Sequence, residues 1–252
     1  MSIEKGFAIE ARGLSYGFRS GFWLKRKAVV HHIDLEIPEG QIFGLLGMNG
    51  AGKTTLIHLI TGLRAPIQGQ VNVFGFKADS LEARRLIGFL PERPYFHDYL
   101  TGDQFLRFHA RLSGLDPHIE GERVKEVLQQ VKMWGAKDKD LKTYSKGMLQ
   151  RIGIAQALIH DPKVLILDEP MSGLDPIARR EMRQLIIELG ITGHTVLLTS
   201  HVISDIEEVC SHVAILRNGS ILEKGPIEEF LVHGKLEEGI ARWYKGESTD
   251  EL

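Results

Sequence analysis

The sequence contains a single cysteine and almost no excess charge, and both shortages narrow its possible functions. One cysteine, Cys210, cannot form a disulfide within the chain, which favours a reducing compartment. The 31 lysines and arginines nearly balance the 33 aspartates and glutamates, so the formal net charge is only -2. This balance argues against nucleic acid as the main partner.

Long hydrophobic runs are also missing. No apolar run approaches the roughly 18–20 residues that a bilayer-spanning helix needs. The charged N-terminal stretch MSIEKGFAIEARG has no long apolar core and is not typical of a secretory signal. We therefore expect no transmembrane segment in this chain, so a function at a membrane would require another chain to cross it.

The patterns that are present predict an α/β fold. Alternating residues in FAIEARGLSY and VVHHIDLEI predict strands, and QIFGLLG, KVLILDEP and HTVLLTSH read as buried strands. EMRQLIIELG, between the last two, predicts a helix, and this order favours a parallel sheet. From about Leu81 to His160 the pattern becomes helical, and Thr101 and Gln104 have the spacing of a capping box.

The segment GMNGAGKT fits the phosphate-loop pattern G-x-x-x-x-G-K-[ST], after a strand and before a helix. Glycines let backbone N–H groups approach phosphates, and the helix N-terminus adds partial positive charge. Lys53 would reach the β- and γ-phosphates, and the Thr54 hydroxyl is placed to ligate Mg²⁺. A glycine-rich turn with an accidental lysine would not explain the flanking strand and helix. The predicted nucleotide-binding residues are Gly47, Met48, Asn49, Gly50, Ala51, Gly52, Lys53, Thr54 and Thr55.

Two further apolar runs end in polar side chains. VLILDE ends in Asp168 and Glu169, and TVLLTSH ends in Ser200 and His201. If these strands lie beside the strand that leads into the phosphate loop, their ends converge on one γ-phosphate. Asp168 would then hold Mg²⁺ through a water molecule, while Glu169 would orient or deprotonate the attacking water. His201 at the third strand end is the second predicted catalytic residue.

The order of these segments resembles the ATP-binding subunit of an ABC transporter. The phosphate loop is followed by YSKGMLQR, then LILDEPMSGLDP, then His201, and the likeness runs from Tyr16 to about Gly225. It implies a P-loop NTPase with a RecA-like core, an antiparallel β lobe and an inserted helical lobe. The expected organisation is one domain over 1–252, with the helical lobe at 92–152 and a short C-terminal tail at 226–252.

The resemblance also implies roles for further residues. Tyr16, in LSYG, resembles the aromatic residue that stacks on adenine, although it could instead pack on the sheet. Asp175, in SGLDP, resembles the D-loop aspartate that links two sites. The signature motif would consist of Ser145, Lys146, Gly147 and Met148.

A helix-capping serine followed by the Gly147 amide at a helix N-terminus makes a plausible anion site. One chain would then carry two phosphate-binding surfaces. In the family these meet between two head-to-tail copies, so that the signature of one copy covers the γ-phosphate held by the other. The resemblance therefore implies ATP and Mg²⁺ as ligands and an ATP-dependent dimer as the active form. The alternative is that Ser145 only caps its own helix.

Four positions depart from the commoner family pattern. Lys146 and Met148 stand where glycine and glutamine are usual, and Met48 replaces a frequent proline. Glu92, in GFLPERP, stands where most members have a glutamine that touches Mg²⁺ and leads to the membrane partner. A carboxylate can ligate Mg²⁺ but adds negative charge beside the phosphates.

Two stretches are candidates for contacts outside the nucleotide site. Phe22 and Trp23 beside Lys25, Arg26 and Lys27 suit a membrane or permease contact, although an extended hairpin near the nucleotide is the preferred interpretation. RPYFHDYL follows Glu92, where the family docks a coupling helix of the permease. Its candidate contact residues are Tyr95, Phe96, Tyr99 and Leu100.

The sequence thus favours an ATPase that drives a separate integral membrane permease, with export as the direction suggested by the LPE and YSKGM segments. It would lie peripherally on the cytoplasmic face of the plasma membrane. One alternative is a soluble ABC-family ATPase that acts on a non-transport partner. The other is a phosphate-loop kinase, which would need an acceptor pocket and no signature motif.

Overall fold

The fold contains two β-sheets, and the first 90 residues contribute strands to both of them. The computed structural model describes residues 6–20 and 25–245. Four strands form an antiparallel sheet in the order β2-β1-β4-β5: β1 Phe7–Ser20, β2 Lys25–Pro38, β4 Gln68–Val73 and β5 Phe76–Lys77. Six strands form the second sheet in the order β10-β9-β3-β8-β7-β6: β3 Ile42–Leu46, β6 Ile87–Leu90, β7 Val164–Leu167, β8 Thr195–Ser200, β9 His212–Arg217 and β10 Ser220–Pro226.

Helices lie in the connections between these strands and after the last strand, β10. Three short 3-10 helices lie at Trp134–Ala136, Leu141–Thr143 and Ile227–Phe230. The α-helices are α1 Lys53–Ile60, α2 Leu81–Leu86, α3 Gly102–Leu112, α4 Pro117–Gln130, α5 Lys146–Leu158, α6 Pro176–Ile191, α7 Ile203–Val209 and α8 Leu236–Lys245.

The strand order places the predicted chemistry at one edge of the larger sheet. β3 pairs in parallel with β8, and β8 pairs in parallel with β7. The carboxyl ends of these three neighbours therefore lie together, as the sequence pattern required. β10 is the antiparallel member of this sheet and returns beside β9 as a hairpin.

Two apolar cores lie on opposite faces of the larger sheet, because consecutive strand residues point to opposite faces. Leu165 and Leu167 of β7 belong to the core shared with α3 to α7. Val164 and Ile166 belong to the core shared with α1 and the antiparallel sheet. All four side chains are fully buried, which explains the continuous apolar run in the sequence.

The predicted helical segment is partly wrong and partly right. Ile87–Leu90 is not helical but forms β6, which pairs in parallel with β7 at the sheet edge. Four apolar residues cannot be distinguished from a helix face by periodicity, and pairing with β7 decides their conformation. The capping box is confirmed: Thr101 N donates to Gln104 Oε1 at 3.0 Å, and Gln104 N donates to Thr101 Oγ1 at 3.2 Å.

The lobe and tail boundaries stay predictions, although the elements show what they would divide. The last helix of the inserted lobe, α5, continues to Leu158, past the expected end at 152. The tail region contains the 3-10 helix Ile227–Phe230 and α8.

Within residues 6–20 and 25–245, none of the helices combines the length and the apolar character that crossing a membrane requires.

Candidate functional site

The phosphate loop connects β3 to α1 through residues 47–52. Gly52 immediately precedes α1 and has a φ of 109°, in the left-handed region that glycine adopts without strain. The first N–H groups of α1 have no acceptor within the helix, so the helix begins as an anion-binding surface. The loop therefore has the backbone and polarity that phosphate binding needs.

Lys53, the first residue of α1, is buried and doubly held. Its Nζ donates a hydrogen bond to the Gly47 carbonyl at 2.6 Å. The same ammonium lies 3.1 Å from Glu169 Oε1, and the two side chains are 6% and 9% exposed. Lys53 thus spans the phosphate loop and reaches the end of β7.

Glu169 is fixed from several sides. Its φ of 51° is unusual for a residue other than glycine, and such strain is found most often at functional sites. His201 Nδ1 lies 2.8 Å from Glu169 Oε2, where an ionised Glu169 accepts a hydrogen bond from the Nδ1–H group. Glu169 Oε1 is buried and lies 3.1 Å from the Lys53 ammonium, which is its charged partner. Once Lys53 turns to a phosphate, this oxygen is left as an acceptor suited to a water molecule.

Asp168 lies behind the cleft and is 1% exposed. Thr199 Oγ1 donates to Asp168 Oδ1 at 2.7 Å and accepts a hydrogen bond from Glu169 N at 2.8 Å. Burial raises the pKa of Asp168, and the charges of Glu169 and Glu92 raise it further, against hydrogen bonds from Thr199 and Thr54. A nearby cation would oppose this shift by stabilising the ionised form.

An open cleft of about 370 Å³ brings most of the predicted residues together. It is lined by Met48, Asn49, Gly50, Gly52, Lys53, Thr54, Thr55, Glu92, Glu169 and His201, together with Val29 and Ser172. Gly47 accepts a hydrogen bond from Lys53 through its carbonyl, and Ala51 is a buried residue of the loop. The cleft therefore contains the phosphate loop and the ends of all three strands.

The donors at this cleft fit Mg²⁺ bound together with phosphates. Thr54 hydrogen-bonds to Asp168, and Glu92 lines the same cleft. Across residues 6–20 and 25–245, no group of three or more His, Cys, Asp and Glu side chains forms a metal cage. Mg²⁺ commonly uses one or two carboxylates and completes its shell with phosphate oxygens and water, so this set is sufficient.

Tyr16 is not among the residues that line the cleft. Its hydroxyl accepts a hydrogen bond from Arg64 at 2.9 Å, and its ring packs edge-on against Phe18 at 5.3 Å. It also packs against the core between α1 and the antiparallel sheet. The predicted adenine contact stays a prediction, and this geometry favours the alternative of a tyrosine packed on the sheet.

The signature residues lie outside the cleft of their own chain. Ser145 caps α5, with its hydroxyl accepting a hydrogen bond from Met148 N at 3.3 Å. Gly147 lies close to α6, where an added Cβ would come within 3.2 Å of Ala178 Cβ. The Lys146 amine rests against the D-loop: a Cβ built on Gly173 would lie 2.2 Å from Lys146 Nζ.

Asp175 caps α6, and its Oδ1 accepts hydrogen bonds from Ile177 N and Ala178 N at 2.9 Å each. Its role in linking two sites stays a prediction.

The predicted contact of the basic and aromatic stretch lies outside the described residues. The structure describes neither Phe22 and Trp23 nor the side chains of Lys25, Arg26 and Lys27.

Sequence reasoning missed three residues. Thr199 precedes the strand-end pair Ser200 and His201, and a threonine late in an otherwise apolar strand was a usable signal. Ser172 enters the cleft because its segment turns back after Glu169, with Ser172 N donating to the Glu169 carbonyl at 3.1 Å. Val29 comes from a different sheet, and nothing in its local pattern indicates this placement.

The fold and the cleft define a nucleotide-binding protein of the P-loop class, and comparison with known proteins specifies the family. The sequence profile described as ABC transporter matches residues 30–172. An uncharacterized ABC transporter ATP-binding protein of Nostoc sp. is 42% identical over 217 residues, covering 85% of this chain and 65% of that protein. A second from Synechocystis sp. is 38% identical over 250 residues, covering 97% of this chain and 69% of that protein.

The bacitracin transport ATP-binding protein BcrA of Bacillus licheniformis is 41% identical over 202 residues, covering 79% of this chain and 65% of that protein. The chain thus spans about two thirds, 65–69%, of the length of these relatives.

Solved structures agree. The structure of an ATP binding subunit of an ABC transporter superposes with a TM-score of 0.81 at 29% identity, covering 94% of this chain and 99% of that chain. The structure of cbiO1 from Clostridium perfringens, part of the ABC transporter complex cbiONQ, gives 0.80 at 28% identity and covers 94% of each chain. The predicted fold class is confirmed, and the chain belongs to the ABC transporter family.

The double role of Thr199 yields a first prediction. Thr199→Val keeps the shape but removes the hydroxyl that contacts Asp168 and Glu169, so ATP turnover should fall about 10–100-fold. The matched control is Thr195→Val, at the other end of β8, where a buried hydroxyl accepts only from Gly40 N at 2.9 Å. Both variants should lose about 1–3 kcal/mol of unfolding free energy in urea. Phosphate-release assays with equal losses for both would contradict a specific role for Thr199.

Proposed function

We propose that this chain binds and hydrolyses ATP, pairs with a second copy of itself, and drives transport by a separate membrane permease. The observation that supports hydrolysis best is the buried Glu169 carboxylate. One of its oxygens lies 2.8 Å from His201 Nδ1, and the other is buried and lies 3.1 Å from the Lys53 ammonium. This is the arrangement expected of a group that accepts a proton from water beside bound phosphates.

Binding begins with the triphosphate at the N-terminus of α1. Lys53 exchanges the Gly47 carbonyl and Glu169 for the β- and γ-phosphate oxygens, because a phosphate carries more negative charge than either partner. Glu169 is then free to accept a proton from the water that attacks the γ-phosphorus. His201 holds the opposite carboxylate oxygen and keeps Glu169 oriented during the transfer.

Thr54, Asp168 and Glu92 would hold Mg²⁺ at the phosphates. The ion supplies charge neutralisation on the phosphoryl oxygens when it is bound. The chain's own contribution is to keep Asp168 in position, which Thr199 and Thr54 do through hydrogen bonds to its carboxylate. Glu92 adds a negative charge at the open side of the cleft.

The second copy is needed because the signature segment does not reach the cleft of its own chain. Ser145 and Lys146 are exposed at the start of α5. A helix N-terminus with a serine cap offers hydrogen-bond donors to an anion. In a head-to-tail pair these donors cover the γ-phosphate of the other copy, which produces two composite sites.

A permease contact is supported by the aromatic surface that follows Glu92. Tyr95 and Tyr99 are 82% and 70% exposed. His97 lies between them, with ring centroids 5.4 Å and 5.9 Å away. Phe96 instead packs on Phe105 in the lobe interior, with centroids 5.5 Å apart. Because this segment directly follows Glu92 in the chain and Glu92 lines the cleft, a docked permease segment would sense nucleotide at the site.

Export is the proposed direction, and the similarity to a bacitracin transport ATP-binding protein supports it. The cbiO1 similarity supports assembly with membrane subunits, since that protein is part of a transporter complex. The chain would then lie peripherally on the cytoplasmic face of the plasma membrane. The alternative is an ABC-family ATPase with a non-transport partner, and copurification with a multi-span subunit separates the two.

Removing the Lys53 ammonium tests the nucleotide site. Lys53→Ala should lower ATP turnover by about 10²–10³-fold, because a charge that stabilises the transferred phosphoryl group is lost. Lys125→Ala, on the exposed face of α4, is the control and should retain wild-type turnover. Both are measured by phosphate release at saturating Mg-ATP. Wild-type turnover by Lys53→Ala would show that the phosphate-loop assignment is wrong.

A mixed dimer tests the trans arrangement. One copy carries Ser145→Arg and the other Lys53→Ala, and both carry Glu169→Gln to slow turnover. In the mixed dimer both lesions fall in the same composite site, which leaves the other site intact. We expect one retained nucleotide per mixed dimer and none in either homodimer, measured on differentially tagged, purified dimers. If the Ser145→Arg homodimer retains ATP as well as the parent, Ser145 only caps its own helix.

A further inference from the structure

The turn between β9 and β10 lies directly behind the phosphate loop. β9 ends at Arg217 and β10 begins at Ser220, so the turn consists of Asn218 and Gly219. Their φ angles are 48° and 81°, and two consecutive left-handed residues are typical of the tight type I′ hairpin turn. The turn lies 166 or more positions beyond the phosphate loop in the sequence (from 52 to 218), and no motif indicates it.

The N–H and the carbonyl of Gly219 both form hydrogen bonds outside the hairpin, one with the phosphate loop and one with β2. Gly219 N donates to the carbonyl of Ala51, in the phosphate loop, at 2.9 Å. The carbonyl of Gly219 accepts a hydrogen bond from His31 N, in β2, at 2.7 Å. One residue therefore connects the phosphate loop to the strand that contributes Val29 to the cleft.

The space around this residue admits no side chain. A Cβ on Gly219 would lie 2.2 Å from the Val29 carbonyl oxygen and 2.7 Å from His31 Cδ2. The backbone of β9, just before the turn, is also close to the phosphate loop: a Cβ on Gly47 would lie 2.6 Å from the Leu216 carbonyl oxygen. Any side chain at position 219 must therefore displace β2 or the turn itself, and the turn is hydrogen-bonded to the phosphate loop.

We propose that Gly219 is a positioning residue of the nucleotide site. Its two hydrogen bonds hold the Ala51 peptide, and with it the curvature of the phosphate loop, against the antiparallel sheet. The proposal rests on the proposed function in one respect, namely that the loop binds nucleotide phosphates. Gly219 is not among the residues that line the cleft, and it acts through its hydrogen bonds with Ala51 and His31.

Gly75 provides a matched control. It also has a φ of 81° and lies in the turn between β4 and β5, but a Cβ there would meet no atom within 4 Å. Gly219→Ala and Gly75→Ala therefore impose the same backbone strain, and only the first also disturbs the loop. A merely structural turn would give the two variants the same nucleotide affinity.

The test is calorimetric titration of both variants and the wild type with Mg-ATP, after thermal unfolding has shown that each is folded. We expect Gly219→Ala to bind at least about tenfold more weakly than Gly75→Ala, because small displacements of a binding loop are costly. Equal dissociation constants for the two variants, with binding by the wild type intact, would overturn the proposal. Absence of binding by the wild type would instead contradict the proposed function.

Hydrogen exchange of the wild-type protein decides the matter if Gly219→Ala does not fold. Saturating nucleotide should slow exchange of the Gly219 and His31 amides, since both bonds depend on the ordered loop. The Gly75 turn serves as the internal reference and should exchange at an unchanged rate. Unchanged exchange at both Gly219 and His31, with nucleotide bound, would overturn the proposal.

Discussion

The buried ion pair between Lys53 and Glu169 is the interaction on which the rest of the cleft depends. Its atoms are 3.1 Å apart and its side chains are less than a tenth exposed. Desolvating each ion costs several kcal/mol, so such a pair adds little net stability. Losing one partner, in contrast, leaves a buried charge uncompensated. The pair places two opposite charges beside the phosphate loop. When nucleotide binds, Lys53 can exchange Glu169 for a phosphate, and Glu169 can exchange Lys53 for a water molecule.

That pair exists only because β3, β8 and β7 are neighbours in parallel. Lys53 follows β3, Glu169 follows β7 and His201 follows β8, so residues far apart in sequence meet at one sheet edge. Thr199 completes the arrangement from within β8 by bonding both Asp168 and Glu169 N. Glu169 keeps a strained φ of 51° because these contacts hold it, which keeps its carboxylate directed into the cleft.

The sequence predicts this edge well because each strand end carries its own local signal. The phosphate loop, the acidic pair and His201 are all readable from a short apolar run followed by polar residues. β6 was misread because four apolar residues carry too little periodicity, and only pairing with β7 makes them a strand. Val29 and Gly219 could not be found, since their importance comes from contacts between sheets. The adenine contact of Tyr16 stays a prediction, because Tyr16 lies outside the cleft-lining residues and its hydroxyl is hydrogen-bonded to Arg64.

The most direct test of this account is the fate of ATP in Glu169→Gln. The amide keeps the size of the carboxylate but cannot accept the proton of the attacking water. The variant should be incubated with Mg-ATP, separated rapidly from free nucleotide and analysed for the bound species. The account predicts ATP on the protein and turnover reduced to a small fraction of the wild-type rate. Bound ADP together with wild-type turnover would contradict a catalytic role for Glu169 and the central claim that this cleft hydrolyses ATP.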